Sequence, residues 1–172
     1  MVESGNNCPI FTLLNFPEVA AYIGEYHCKV DSKGRIMLPA AFKRQMASGG
    51  QDRFVVRKDI YESCLVLYPI EEWQRQNKII RSNTNPYNKE HNAFVRGFFK
   101  GAAEIELDAN NRMLIPKRLL DETKIETDVV LAGQDGKIEI WSEKIYDRAV
   151  SSDEFAALAE KIMGGQINDI NE

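Results

Sequence analysis

The sequence predicts a mostly β fold with short helices (α+β), built from two tandem halves, and three observations predict it. The chain repeats itself: GEYHCKVDSKGRIMLPAAF (24–42) lines up without gaps on GAAEIELDANNRMLIPKRL (101–119), an offset of 77. Gly24/Gly101, Asp31/Asp108, Arg35/Arg112 and Pro39/Pro116 are identical, and the intervening apolar positions match in character. A second aligned block follows each copy, in which Leu65-x-Leu67-Tyr68 matches Ile138-x-Ile140-Trp141 and Trp73 matches Tyr146, at an offset of 73. Short apolar or alternating runs of strand length, bounded by turn residues, recur in both copies.

Each copy reads as strand, tight turn, short strand, short helix, hairpin and second helix. Residues 25–30 and 104–107 are expected to be short strands entering the turn, chiefly on the repeat alignment. Asp31 and Asp108 open the turns, because an aspartate side chain caps amides a few residues on. Gly34 and Asn111 hold the fourth turn position and are the residue types that best accept positive φ, so both turns are expected to be left-handed there. Pro39 and Pro116 then sit at the first position of a short helix, where a missing amide costs little. In the first copy that helix is expected over 40–46, ending before Gly49-Gly50. Strands follow at 54–57 and 64–68, then a helix from 69 to about 80, with a helix at 143–150 as its counterpart. Residues 81–92 read as a polar turn region and 93–100 as a short helix with Phe94 and Phe98 on one face. Residues 153–163 form a capped C-terminal helix before a frayed tail. The expected divisions are thus 1–23 (N-terminal extension), 24–73 (first repeat), 74–100 (basic linker with a helix), 101–150 (second repeat) and 151–172 (C-terminal helix and tail). Whether the lead before Gly24 is an ordered arm, a disordered tail or a misassigned start is open at this level.

Charge is unevenly spread. The net charge of -4 disfavours a polyanionic partner at first sight, yet residues 1–120 carry 17 Lys/Arg against 13 Asp/Glu, and residues 121–172 carry 5 against 13. Local field rather than total charge steers a polyanion, so the basic two-thirds is the face to consider. No apolar run approaches the ~20 residues that span a bilayer, so no membrane partner is expected. The first twenty residues lack a basic n-region and include Glu3 and Glu18, so a cytoplasmic location is expected. Cys8, Cys28 and Cys64 are odd in number and never form a C-x-x-C pair, which argues against a disulfide framework or a cysteine zinc site.

The pattern D-x-x-x-R followed by three apolar residues and Pro, occurring twice in register, resembles the MraZ family of SpoVT/AbrB-like transcription regulators. The matching text is GEYHCKVDSKGRIMLP and ELDANNRMLIP, with FFKGAAEIELD leading into the second copy and KIEIWSEKIY closing it. The resemblance covers roughly 24–150. It implies that two SpoVT/AbrB-like halves form an interleaved double-split β-barrel. It also implies a nucleoid-associated, ring-like homo-oligomer that binds direct repeats in double-stranded promoter DNA, typically of division and cell-wall genes. One copy alone is too short for a sufficient core, so pairing two within a chain fits that implication.

Arginine offers a rigid fork of donors suited to phosphates and guanine edges. The candidate DNA-binding residues are Arg35, Lys33, Arg112, Lys29 and Lys43, and the candidate turn-forming residues are Asp31, Gly34, Asp108, Asn111, Pro39 and Pro116. Asp31 and Asp108 are read as ion-pair partners that pin their turns, since a carboxylate repels phosphate. Residues 24–46 carry five basic against two acidic side chains and residues 101–123 carry three against five, so the first copy is expected to supply most of the DNA affinity. Phe98, Phe99 and Trp73 are read as exposed aromatics available for self-association, while Trp73, with Tyr68 and Trp141, is also read as a core or interface aromatic rather than a base-stacking platform. An enzyme is not expected, and neither a cofactor nor a metal: His27 and His91 are isolated, and no P-loop, nucleophile elbow or G-x-G-x-x-G occurs. The competing class is a protein-interaction module, an assembly scaffold or antitoxin-like partner binder, which the acidic C-terminal third would suit.

Overall fold

The computed structural model describes residues 20–47, 49–149 and 151–164. The expectations for the lead through residue 19, for Cys8 and for the tail from 165 lie outside the described residues. The fold is α+β, and both halves follow the element order that the repeat implies. The first half comprises β1 (Glu25–Lys29), β2 (Arg35–Met37), α1 (Ala40–Gln45), β3 (Arg53–Lys58), β4 (Leu65–Pro69) and α2 (Ile70–Asn83). α3 (Lys89–Phe99) connects the halves. The second half comprises β5 (Ala103–Glu106), β6 (Arg112–Leu114), α4 (Lys117–Glu122), β7 (Asp128–Gln134), β8 (Lys137–Ser142) and α5 (Glu143–Tyr146), and α6 (Ser152–Met163) follows.

The strands do not stay with their own copy. A six-stranded antiparallel sheet runs β1-β7-β8-β4-β3-β5, and β2 pairs with β6 in a separate ribbon. β1 of the first copy therefore lies on β7 of the second, and β5 of the second lies on β3 of the first. The register reveals a twofold relation. At the centre of the sheet Leu65 faces Ile140 and Leu67 faces Ile138, so each residue meets the counterpart of its neighbour two positions away. The ribbon obeys the same rule: Arg35 faces Leu114, Ile36 faces Met113 and Met37 faces Arg112. Loop hydrogen bonds follow suit, Leu38 N donating to Asn111 O (2.8 Å) and Ile115 N to Gly34 O (3.0 Å). Neither half could satisfy its edge strands alone, which is the physical reason for the interleaving.

The main core lies between sheet and ribbon. Ile36, Phe42, Phe54, Leu65, Leu67, Met113, Leu119, Leu131, Ile138 and Ile140 are all buried in it. Strand period 2 sends the alternate residues of β3 and β4 to the other face, where Val55, Val66 and Tyr68 meet Ile70, Trp73 and Ile80 of α2 and Phe98 of α3. Covered on both faces, these strands read as unbroken apolar runs. Trp73 stacks on Phe98 with ring centroids 5.4 Å apart, and both are buried, which corrects the reading of Phe98 as an exposed aromatic and favours the core reading of Trp73; Phe99 alone of the three is exposed. Helix-facing apolar residues roof the sheet here before any partner arrives.

Three boundaries moved, each for a local reason. α2 runs on to Asn83 because the Ser82, Asn83 and Thr84 side chains bond the last-turn carbonyls of Ile79 and Ile80. α3 starts at Lys89 because the Asn88 side chain accepts from the Glu90 and His91 amides. α5 stops after a single turn, the chain continuing in i→i+3 bonds from Arg148 N to Ile145 O and from Ala149 N to Tyr146 O. Upstream of β1, Tyr22 is buried, donates its amide to Asp135 O (2.7 Å) and meets Phe42 edge-on, so residues 20–23 are an ordered arm of the core.

Candidate nucleic-acid interface

The two Asp-to-Arg turns come together on one ribbon. Asp31 Oδ1 accepts from the Lys33 and Arg35 amides (both 2.9 Å), and Oδ2 accepts from Arg35 Nε (2.6 Å). The second turn repeats this: Asp108 Oδ1 accepts from the Asn110 amide (2.8 Å) and the Arg112 amide (2.9 Å), and Oδ2 from Arg112 Nε (2.8 Å). Gly34 and Asn111 adopt φ of 81° and 57°, the left-handed conformation both turns require. The Arg35 amide, more than the guanidinium, holds the Asp31 carboxyl below its ordinary value against the opposing cost of desolvation. The Arg112 amide does the same for Asp108. Both aspartates are thus turn-pinning ion-pair partners.

Each arginine spends only its Nε on the carboxylate. Among the described residues the two terminal guanidinium nitrogens of Arg35 and of Arg112 have no hydrogen-bond partner. Their side chains are 27% and 29% exposed, so neither is sealed inside the molecule. Because side chains alternate across a strand, Ile36 and Met113 point into the core while Arg35, Met37, Arg112 and Leu114 share the outer face. Met37 and Leu114 are each 58% exposed, a paired apolar feature beside the two arginines. The sequence hid this role, since IML and MLI both read as uninterrupted apolar runs; the period-2 rule applied to the turn-exit strand would have exposed it.

The other candidates are differently placed. Lys33 is exposed at the tip of the first turn, where the second has Asn110. Lys29 is paired with Asp128 across the β1–β7 seam (2.7 Å), and Lys43 is paired with Asp52. Both already have a carboxylate in contact. Pro39 and Pro116 stand one residue earlier than expected, at the N-caps of α1 and α4 with extended ψ of 137° and 130°, rather than at the first helical position. The interleaving also redistributes charge: the first turn, Asp31–Gly34, borders Lys117, Leu120 and Asp121 of α4 and Glu126 in a shared groove, so a helix of the second copy flanks a turn of the first. Segment-by-segment charge counts therefore do not describe what borders the first turn. His27 bonds Glu143 and His91 accepts from the Asn85 amide (both 2.9 Å). Among the described residues no cluster of three or more His, Cys, Asp or Glu is placed to hold a metal ion, and no helix is long and apolar enough to cross a membrane.

Comparison with known proteins agrees with this architecture. The profile of the family described as "MraZ protein, putative antitoxin-like" matches the chain twice, over residues 21–96 and 98–163. Three proteins named Transcriptional regulator MraZ are close in sequence. That of Christiangramia forsetii is 44% identical over 144 residues, 83% of this chain and 92% of that protein. That of Flavobacterium psychrophilum is 41% identical over 153 residues, 86% of this chain and 94% of that protein. That of Phocaeicola vulgatus is 40% identical over 148 residues, 86% of this chain and 96% of that protein. Two matches in tandem and this identity over most of each partner make one conclusion plain: the chain belongs to the MraZ family.

Proposed function

We propose that the protein is a DNA-binding transcription regulator that reads duplex DNA with the β2–β6 ribbon. The observation that supports this is the pair of Asp-pinned arginines, each with unpartnered terminal nitrogens, on the outer face of a two-stranded ribbon. A ribbon of this width fits the major groove, a guanidinium fork matches guanine, and apolar side chains such as Met37 and Leu114 suit thymine methyls. Fixing Nε in advance lowers the entropy lost on binding. The relatives' names support the regulatory role, and the finer reading is sequence-specific binding to promoter direct repeats of division and cell-wall genes by a ring-like homo-oligomer. Under this reading it is a cytoplasmic, nucleoid-associated binding protein and not an enzyme. Arg35 and Arg112 are its principal anchors, Lys33 adds to the first turn, and Lys29 and Lys43 are peripheral because each must first leave a carboxylate.

The twofold relation makes the arginines near-equivalent, which revises the expectation that the first copy dominates. On a duplex from the protein's own upstream region, followed by fluorescence anisotropy, Arg35→Ala and Arg112→Ala should each weaken binding by about 1–3 kcal/mol, roughly 5- to 150-fold. Lys33→Ala should flatten the dependence of log affinity on log salt by about one contact's worth, about 0.9 in slope. Unchanged affinity in both arginine variants would remove the ribbon from the interface. The exposed acidic helix α6 favours a second reading, a protein-interaction module without specific DNA binding. Wild-type affinity that ignores both salt and sequence would select it.

A further inference from the structure

The facing sides of α2 and α3 leave a crevice between them. Asn77, Ile80 and Arg81 lie one turn apart on α2, and His91, Val95 and Phe99 recur every four residues on α3, so the two sets line one space of about 430 Å³. Small-molecule sites span roughly 300–1,000 Å³. Both helices roof the sheet face turned away from the β2–β6 ribbon. The walls are pinned from within: Asn85 N donates to His91 Nδ1 (2.9 Å), Thr84 Oγ1 to Ile80 O (2.7 Å) and Asn92 Nδ2 to Pro86 O (2.5 Å). Three polar groups in this crevice have no use in the fold. Asn77 Oδ1 is buried and meets no donor among the described residues, and an unpaired buried acceptor is costly. Arg81 is exposed, and no carboxylate lines the crevice beside it. His91 Nδ1 accepts the Asn85 amide, which puts the ring proton on Nε2 as a spare donor. Ile80 and Val95 supply an apolar floor, and Phe99, 40% exposed, supplies an aromatic face.

We propose that the α2–α3 crevice binds a nucleoside monophosphate, with its base against Phe99, a base N–H donated to Asn77 Oδ1 and its phosphate on Arg81. A planar heterocycle stacks on an aromatic ring whatever its sequence identity. A guanidinium without a carboxylate partner matches a phosphate, and the buried amide oxygen calls for a donor that a base edge carries. Free phosphate brings no ring, and a simple carboxylic acid brings no N–H for Asn77. Duplex DNA does not fit either, because its bases are paired and stacked and present no free face to Phe99. The crevice shares no residue with the ribbon, so this site stands or falls apart from the DNA contacts.

The test is isothermal titration calorimetry of the full-length protein without DNA, against AMP, GMP, CMP and UMP, the same nucleosides without phosphate, and inorganic phosphate. At least one monophosphate should bind, one per chain, with its nucleoside about 10-fold weaker and inorganic phosphate weaker still. Arg81→Gln should weaken that monophosphate by about 10-fold and leave the nucleoside unchanged, since it removes only the phosphate contact. Asn77→Leu should weaken nucleotide and nucleoside alike while melting no earlier than wild type, because it deletes an acceptor that no donor meets. Should Asn77→Leu fail to fold, Arg81→Gln with the nucleoside comparison carries the same decision. Arg35→Ala, on the ribbon, should leave nucleotide affinity as it is. Absence of heat from every monophosphate at millimolar concentration overturns the proposal. So does binding that survives both crevice substitutions, or binding lost with Arg35→Ala, which puts the nucleotide on the ribbon instead. Inorganic phosphate that binds as tightly as the nucleotides overturns it as well, since the base then adds nothing.

Discussion

Phe42 of the first copy and Leu119 of the second occupy matching positions, both fully buried in the core between sheet and ribbon, but their surroundings differ. Phe42 meets Tyr22 and Tyr26 edge-on at 5.6 and 4.9 Å, whereas Leu119, being aliphatic, can form no such ring pair. The same contrast recurs behind the sheet. In the first copy α2 and α3 roof the hairpin with Trp73 and Phe98, while in the second α5 is one turn long and no residue of α6 is buried among the described residues. Backbone symmetry is kept where strands and turns from the two copies must pair with each other. Side-chain symmetry is lost where each copy faces solvent or a neighbour. Pairing imposes identity of geometry, and packing imposes only complementarity.

Three substitution pairs press on that comparison. The largest effect is expected in the core: Phe42→Ala should cost about 3–5 kcal/mol and Leu119→Ala about 2–5, the first exceeding the second by the aromatic pairs it loses, about 0.5–1.5 kcal/mol each. Denaturant midpoints at constant slope measure both, and equal losses would mean the Tyr22 and Tyr26 contacts add nothing beyond burial. Next come the turns. Gly34→Ala places a Cβ at φ 81° and 3.3 Å from Ile115 O, so about 1–2 kcal/mol should be lost, whereas Asn111→Gly should stay within about 1 kcal/mol of wild type. Thermal unfolding of the two variants decides this, and a silent Gly34→Ala would show that the first turn tolerates what the second tolerates only with asparagine.

The smallest effect is the pH dependence of the two aspartates, and here the copies should agree. Each carboxyl titrates below its ordinary 3.8 when folded, because backbone amides and an arginine bond its ionised form. The folded state therefore binds fewer protons than the unfolded state as pH falls. The stabilisation is complete above 3.8 and disappears as the pH drops through the lower folded value. Asp31→Asn and Asp108→Asn should each be less stable than wild type at neutral pH by similar amounts, the gap closing on acidification. Chemical denaturation across that pH range measures it, and a gap that persists in acid would place the aspartates' contribution in something other than charge.

Much of this was legible in the chain. The duplicated Asp-x-x-x-Arg corners located both turns, and Gly34 with Asn111 announced their left-handed backbone, because local rules govern four consecutive residues. The order of strands and helices followed from the repeat. Arg57 escaped notice, since nothing in the run FVVRK separates a buried arginine from a solvated one until α3 is laid over it. Phe98 misled for the same reason: whether an aromatic is roof or exposed patch depends on what the next helix covers. The charge count by segment is blind to the interleaving, because it treats neighbours in sequence as neighbours in space, whereas α4 of the second copy borders the turn of the first.

By itself, then, the amino-acid order determined the repeat, the turn chemistry and the family, all properties set within a few consecutive positions or by their recurrence. Tertiary structure alone decided that β1 crosses to β7 and β5 to β3, that both arginines share a single ribbon, and that one acidic helix is left without a seat. The reason is that strand edges carry unpaired amides and carbonyls on whichever copy they belong to, and those groups are satisfied by the nearest complementary edge in space rather than in sequence.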